Sequence, residues 1–203
     1  MVWRKLSLAE VVEKIPIGVA VTRAELLSSL AFYDSLTGLP NRNLFKDRLA
    51  RAILSAERRA GGFALFYIDI DRFKTVNDAW GHETGDRLPR EAAARMSRVL
   101  RRSDTLARLG GDEFAAILED VKTDAGACVV AEKLFALCGE RYELNGSSLR
   151  VTLSVGISLY PQDGRDAAAL LEHADRAMYQ AKGQGRNCYS LVTAPYGLSP
   201  DSG

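Results

Sequence analysis

Cysteine is scarce in this sequence: three residues, Cys128, Cys138 and Cys188, in a chain of 203. Their spacing fits no metal-ligand pattern and their odd number argues against a disulfide framework, so a reducing, cytoplasmic setting fits best. Net charge is nearly absent too, with 27 Lys and Arg against 26 Asp and Glu. No global field draws such a chain to nucleic acid or to an anionic membrane. A membrane-crossing run is missing from the N-terminus. Arg4 and Lys5 resemble the start of a signal peptide, but Glu10, Glu13 and Lys14 interrupt any apolar core. The uncharged stretch over 15–22 is too short to span a bilayer. There is no G-x-x-x-x-G-K-[ST], which excludes a P-loop, and neither a repeat nor a low-complexity segment. What remains is ordinary for a folded domain, 47% hydrophobic and 26% charged. The length suffices for a core burying roughly 70% of the unfolded surface. The chain is compatible with being the cytoplasmic part of a larger, even membrane-bound, protein.

Ser7 with Glu10, and Thr22 with Glu25, fit the S/T-x-x-E capping box. Residues 1–33 therefore read as a helical extension. Its first helix ends before Pro16; its second carries Leu26, Leu27, Leu30, Ala31 and Tyr33 on one stripe, suited to its own domain or to a partner helix. Gly38, Pro40 and Asn41 break the periodicity and mark a boundary. A domain over 34–192 follows, with a helix over 43–59 and a buried strand over 63–70. Short helices are expected at 72–79 and 86–101, then strands at 105–108 and 114–118 joined across Gly110-Gly111. A helix over 123–137, a β-branched strand over 149–159, a helix over 166–182 and a last strand over 188–192 complete it. Strands alternating with helices around one hairpin predict an α/β (α+β) sandwich, a central mixed β-sheet flanked by helices. The small polar residues 193–203 predict a flexible tail.

Asp69 and Asp71 end a buried apolar strand, where a carboxylate is costly unless a cation or donor compensates it. Both read either as caps for the next helix or as part of a site. The turn Gly110-Gly111-Asp112-Glu113 carries two more carboxylates, and turn carboxylates are usually just solvated. If the two strands are neighbours, Asp69, Asp112 and Glu113 converge at one sheet edge. Hard oxygen donors without His or Cys suit Mg²⁺ or Mn²⁺ rather than Zn²⁺, and magnesium held by few carboxylates also takes phosphate oxygens, which points to a nucleotide. The turn over 70–74 offers backbone N–H groups to an anion, with Lys74 adding charge. Lys182 and Arg186, beside Gly183 and Gly185, read equally as further phosphate cations or as an ordinary basic helix end. Asn77 and Asp86 match the donor and acceptor edge of guanine and are equally good caps. Arg87, Arg90, Arg95, Arg98, Arg101, Arg102 and Arg108 form a local basic run, either a solvated helix face or, through Arg101 and Arg108 about Asp104, a bidentate phosphate clamp. Cys128 and Cys138 read most simply as core.

The chain resembles the GGDEF family of diguanylate cyclases from residue 34 to about 192. The signature Gly110-Gly111-Asp112-Glu113-Phe114 is intact. In order around it stand Asp34-Ser-Leu-Thr-Gly-Leu-Pro-Asn-Arg42, Ile68-Asp-Ile-Asp-Arg-Phe-Lys-Thr-Val-Asn-Asp78, Gly81-His-Glu-Thr-Gly-Asp86 and Ala181-Lys-Gly-Gln-Gly-Arg-Asn187. Each is weak alone; together, in order and with matching spacing, they are specific. The resemblance implies a nucleotidyl-cyclase or polymerase-palm-like fold and condensation of two GTP into cyclic di-GMP and two pyrophosphates. It implies two Mg²⁺ or Mn²⁺ ions held by Asp69, the Ile70 carbonyl, Asp112 and Glu113, with Asp112 also the candidate acceptor of the 3′-hydroxyl proton. Asn77 and Asp86 would read guanine and His82 line the nucleotide site. Gly110, Gly111, the Phe73-Lys74 turn, Lys182 and Arg186 would lie along the phosphates. Joining two GTP symmetrically implies at least a transient homodimer, and the helix from Thr22 would couple to an upstream sensor. Arg101-Arg-Ser-Asp104 matches the family's R-x-x-D inhibitory site for cyclic di-GMP, with Arg108 and Lys133 helping.

Two residues depart from the family pattern. Pro89 stands where an apolar residue is usual, and an Asp86 cap would put it in a helix's first turn, where its missing N–H is tolerable. Arg72 replaces a frequent aromatic, with little consequence expected. Two other function classes remain: a catalytically silent receptor for cyclic di-GMP or GTP, which loss of signature carboxylates would favour, and a template-dependent nucleotidyltransferase, which would need a basic channel.

Overall fold

The computed structural model describes residues 31–144 and 146–192. The extension expected over 1–33 lies outside the described residues up to residue 30, as does the tail expected over 193–203.

Strand β1 (Phe63–Ile70) is buried at every position. Its apolar run hides a period of two: Ala64, Phe66, Ile68 and Ile70 enter one core cluster, and Phe63, Leu65 and Tyr67 the other. A strand apolar on both faces must be covered on both. Helices α1 (Arg42–Arg59) and α4 (Ala167–Gly183) cover the Phe63 face, and α2 (Phe73–Val99) and α3 (Asp124–Cys138) the Phe66 face. The other strands are β2 (Thr105–Gly110), β3 (Glu113–Glu119), β4 (Tyr142–Leu144), β5 (Ser147–Leu149), β6 (Leu153–Tyr160) and β7 (Cys188–Leu191). The main sheet runs β2-β3-β1-β6-β7, antiparallel except for the parallel β6–β7 pair. This is the expected mixed sheet between helices.

Small residues on β6 let α4 lie close. A Cβ on Gly156 would stand 1.9 Å from the Ala174 carbonyl oxygen and 2.2 Å from the Met178 nitrogen, both backbone atoms. Beside it the Ser158 hydroxyl donates to the Leu170 carbonyl at 3.0 Å. The close seat of α4 carries its C-terminal end, with Lys182, back to the end of β1.

Three expectations are corrected. The strand predicted over 149–159 starts too early: Leu149 ends β5, which pairs with β4 in a separate hairpin, and β6 begins at Leu153, where pairing with Ile70 begins. The two helices predicted at 72–79 and 86–101 are both present within α2, separated at Gly81 (φ 79°, ψ 165°), but the second resumes directly after Gly81 rather than at Asp86. Asp86 therefore caps nothing, and Pro89 lies inside the helix rather than in its first turn. With no N–H on Pro89, the Gly85 carbonyl loses its helical donor. The basic run is not one solvated face either. Arg95, 9% exposed, donates to the carbonyls of Leu137, Glu140 and Arg141 at 3.3, 2.8 and 2.6 Å and stacks 3.7 Å over the Tyr142 ring. It closes the end of α3. Cys138 is buried, as a core reading requires, and Cys128 half-buried.

Candidate active site

Pairing register builds the site. Antiparallel β1 and β3 set Asp69 opposite Glu113, and the Ile70 N–H donates to the Asp112 carbonyl at 3.1 Å. The Gly110-Gly111 turn thus folds its carboxylates against the C-terminal end of β1. Gly110 (φ 147°) and Gly111 (φ 51°) take a backbone that side chains rarely adopt, and a Cβ on either would meet open space. Here glycine answers the turn's geometry and leaves its backbone open to a ligand.

Asp69 is 5% exposed, and its Oδ2 lies 2.7 Å from Lys182 Nζ at the end of α4. Burial raises its pKa to about 6; the Lys182 hydrogen bond opposes the rise, and the like charges of Asp112 and Asp71 add to it. Glu113 pairs at 3.3 Å with Arg42, the first residue of α1. Among the described residues no three Asp, Glu, His or Cys side chains stand together as a ready-made metal cluster. The donor chemistry still fits a hard divalent cation. A buried carboxylate faces the charge of a second one, and magnesium characteristically takes one or two carboxylates plus substrate phosphates.

The turn into α2 suits an anion. Arg72, its N-cap, is left-handed (φ 58°) and makes no side-chain capping bond, so the first N–H groups, those of Phe73 and Lys74 included, are not taken up by a cap. Asp71, read above as a possible cap, instead accepts from the hydroxyls of Thr152 and Ser154, both at 2.6 Å, and from the Asn187 N–H at 3.2 Å. It lies 4.0 Å from Arg186 Nε. Asp71 thus ties β1 to β6 and to the loop that presents Arg186. Asn77 Oδ1 lies 1.5 Å from where a Cβ on Gly85 would fall, so the Asn77 side chain sits over the residue next to Asp86. Asp86 is exposed. His82 lies in α2 just after the Gly81 break; its side chain is outside what the structure describes.

Arg108 does something other than expected. Its guanidinium holds both Asp34 oxygens, at 3.0 and 3.1 Å, and donates to the Gly111 carbonyl at 2.7 and 3.0 Å. Burial pushes the Asp34 carboxyl up, but hydrogen bonds from Thr37 and Arg108 outweigh it and hold its pKa below the usual value. The Arg108 N–H also donates to the Pro40 carbonyl at 2.9 Å, and Arg42 Nε to the Leu109 carbonyl at 3.3 Å. The segment over 34–42 therefore grips the glycine turn from both strands. Sequence reasoning quoted this segment without giving Asp34 or Arg42 a role.

Arg101, Asp104 and Lys133 do come together, lining a cleft of about 350 Å³ between the end of α2, β3 and α3. Asp104 braces it, accepting from the N–H groups of Arg101 at 2.8 Å and Glu119 at 3.1 Å. Arg108 is not part of it. It stands four residues along from Asp104, which at about 3.3 Å per strand residue carries it toward the opposite end of β2, beside the glycine turn.

Residues 31–188 match the family described as diguanylate cyclase, GGDEF domain. The chain belongs to the GGDEF family. Among curated relatives, the bifunctional diguanylate cyclase/cyclic di-GMP phosphodiesterase MucR of Pseudomonas aeruginosa is 47% identical over 163 residues, 80% of this chain and 24% of that protein. The diguanylate cyclase TpbB of Pseudomonas aeruginosa is 44% identical over 167 residues, 82% of this chain and 38% of that one. The chain thus spans well under half the length of either. The solved GGDEF domain of TpbB (YfiN) superposes with a TM-score of 0.77 at 43% identity, covering 79% of this chain and 94% of that one. The coiled coil and GGDEF domain of DgcB from Caulobacter crescentus, in complex with cyclic di-GMP, gives 0.74 at 31% identity, covering 83% and 89%. The sheet flanked by helices is the palm-like GGDEF fold.

Proposed function

We propose that this GGDEF domain is an active diguanylate cyclase, condensing two GTP into cyclic di-GMP with release of two pyrophosphates. The observation that carries the reading is the pairing register that sets buried Asp69 opposite Glu113 and the Asp112 backbone against Ile70, beside the open N-terminus of α2 and within an intact signature. In this reading Asn77 and Asp86 hold the guanine edge, with His82 lining the nucleotide site. Gly110 and Gly111 let the triphosphate approach their backbone. The N–H groups of Phe73 and Lys74, with Lys182 and Arg186, neutralise the phosphates and fix the α-phosphorus for in-line attack. Asp112 takes the proton of the 3′-hydroxyl as its oxygen bonds to phosphorus and the bond to pyrophosphate breaks. Asp69, the Ile70 carbonyl, Asp112 and Glu113 would hold two Mg²⁺ or Mn²⁺ ions, which when bound stabilise charge on the attacking and leaving oxygens.

Each subunit presents one GTP, so the product requires two domains face to face, at least as a transient homodimer. We read residues 1–33 as a helical extension toward an upstream sensor, 34–192 as the cyclase domain and 193–203 as a tail. The setting is cytoplasmic; no helix among the described residues is long and apolar enough to cross a membrane. Cyclic di-GMP bound in the cleft of Arg101, Asp104 and Lys133 lowers turnover.

The test is direct. Protein stripped of bound product is incubated with GTP and Mg²⁺, and cyclic di-GMP is sought by mass spectrometry. Product that disappears in Asp112→Ala is expected. No product from concentrated, dimeric protein moves the assignment to a cyclic di-GMP or GTP receptor. Arg101→Ala is expected to relieve product inhibition, and unchanged inhibition would remove that part.

A further inference from the structure

The two carboxylates that face each other across β1 and β3 are each already held by a cation from another element. Lys182 Nζ sits 2.7 Å from Asp69 Oδ2, and Arg42 sits 3.3 Å from Glu113. The two pairs differ in weight. Arg42 and Glu113 are substantially exposed, with side chains 49% and 36% accessible, so solvent screens their attraction. The Asp69 side chain is 7% accessible and that of Lys182 27%, so their attraction is screened far less. A divalent cation that coordinates Asp69 Oδ2 must first displace Lys182, and the displaced ammonium, held on α4 near the end of β1, is left without its carboxylate.

We infer that Lys182 exchanges partners: it is the counter-ion of Asp69 until a divalent cation takes the carboxylate, and it then transfers to the nucleotide's phosphates. This rests on the reading of Asp69 as a metal ligand and adds a coupling to it. Metal alone must break the Lys182–Asp69 pair without compensation, and nucleotide alone must draw Lys182 off a buried carboxylate. Arriving together, each supplies the partner that the other displaces. Through Lys182, metal and triphosphate therefore strengthen each other's binding, and by linkage the strengthening is reciprocal. A lysine that only touches phosphate creates no such dependence on metal.

The experiment measures Mn²⁺ affinity of the whole chain by calorimetry at pH 8.5, with and without 3′-deoxy-GTP, which supplies the triphosphate but no attacking hydroxyl. In wild type, Mn²⁺ alone binds weakly and the nucleotide tightens it. In Lys182→Met, Mn²⁺ alone binds roughly five- to twenty-fold tighter, the scale a partly buried ion pair gives after screening. The further tightening by nucleotide shrinks correspondingly. Lys182→Arg keeps a cation in place and returns both values toward wild type; matching melting curves show that the variants are folded. If Lys182→Met leaves nucleotide-free Mn²⁺ affinity unchanged or weaker while Asp69→Asn abolishes it, the exchange is wrong and Asp69 remains a ligand. Arg at 182 tightening Mn²⁺ as Met does also overturns the exchange. Should Asp69→Asn leave Mn²⁺ binding intact, the metal reading of Asp69 falls, and the exchange with it.

Discussion

Asp69→Asn should make this protein more stable while destroying its proposed activity, and the gain should depend on pH in a fixed sense. Burial raises Asp69 from 3.8 to about 6 despite the Lys182 hydrogen bond. An elevated folded-state pKa means that the native state favours the protonated carboxyl. The associated stability is complete below about 3.8 and is lost as pH rises through about 6. Above pH 7 the ionised group costs about 3 kcal/mol, from roughly two units at about 1.4 kcal/mol each. Asparagine keeps the shape and an acceptor oxygen for Lys182 but carries no charge. Allowing about 1 kcal/mol for the buried amide, the variant should gain about 2 kcal/mol at pH 8. For a domain of this size that is roughly 4–8 °C in Tm. The assay is thermal unfolding in EDTA across pH 4 to 8. The two melting temperatures should converge as pH falls through about 6 and cross before pH 4, where wild type is protonated and only the cost of the amide remains. Saturating Mn²⁺ with 3′-deoxy-GTP should reverse the order at pH 8, because only wild type is stabilised by the bound pair. A gap that is absent at pH 8, or that widens on acidification, would refute the reasoning.

The same titration predicts that apparent Mg²⁺ affinity in the cyclase assay falls about ten-fold from pH 8 to pH 5, where about a tenth of Asp69 is ionised; a flat profile counts against Asp69 as a ligand. Gly156→Ala sets a Cβ 1.9 Å from the Ala174 carbonyl oxygen, so α4 must move or detach. A loss of about 3 kcal/mol or more is expected, read as a steep fall in Tm and in soluble yield. Arg108→Ala removes the bonds that join Asp34 to the Gly111 carbonyl. It should lower kcat at least ten-fold and leave the inhibition constant for cyclic di-GMP within two-fold. The opposite pattern, with kcat kept and inhibition lost, would return Arg108 to the inhibitory cleft.

What the sequence disclosed, and what it hid, divides along a physical line. The convergence of Asp69 with the glycine turn was legible because antiparallel neighbours place the last residue of one strand beside the first of the next. The central strand was legible because eight consecutive apolar or strand-ending residues have few other places to go. Exact helix starts were harder. The break between two helices was legible, but the second resumes just after Gly81 rather than at Asp86, and placing its start too late moved Pro89 into a first turn it does not occupy. The β4–β5 hairpin was missed because three-residue strands give almost no period to read.

Side-chain direction was hidden most completely. Arg101, Asp104 and Arg108 lie within eight residues of sequence and look like one basic cluster about an acid. An extended strand separates what sequence proximity groups. Asp104 stands before β2, where its carboxylate accepts from the N–H groups of Arg101 and Glu119. Arg108 stands near the strand's far end, where its guanidinium reaches Asp34 and Gly111. One strand thus carries the proposed product cleft at its start and a support of the glycine turn at its end, so only β2 and its pairing with β3 separate the two.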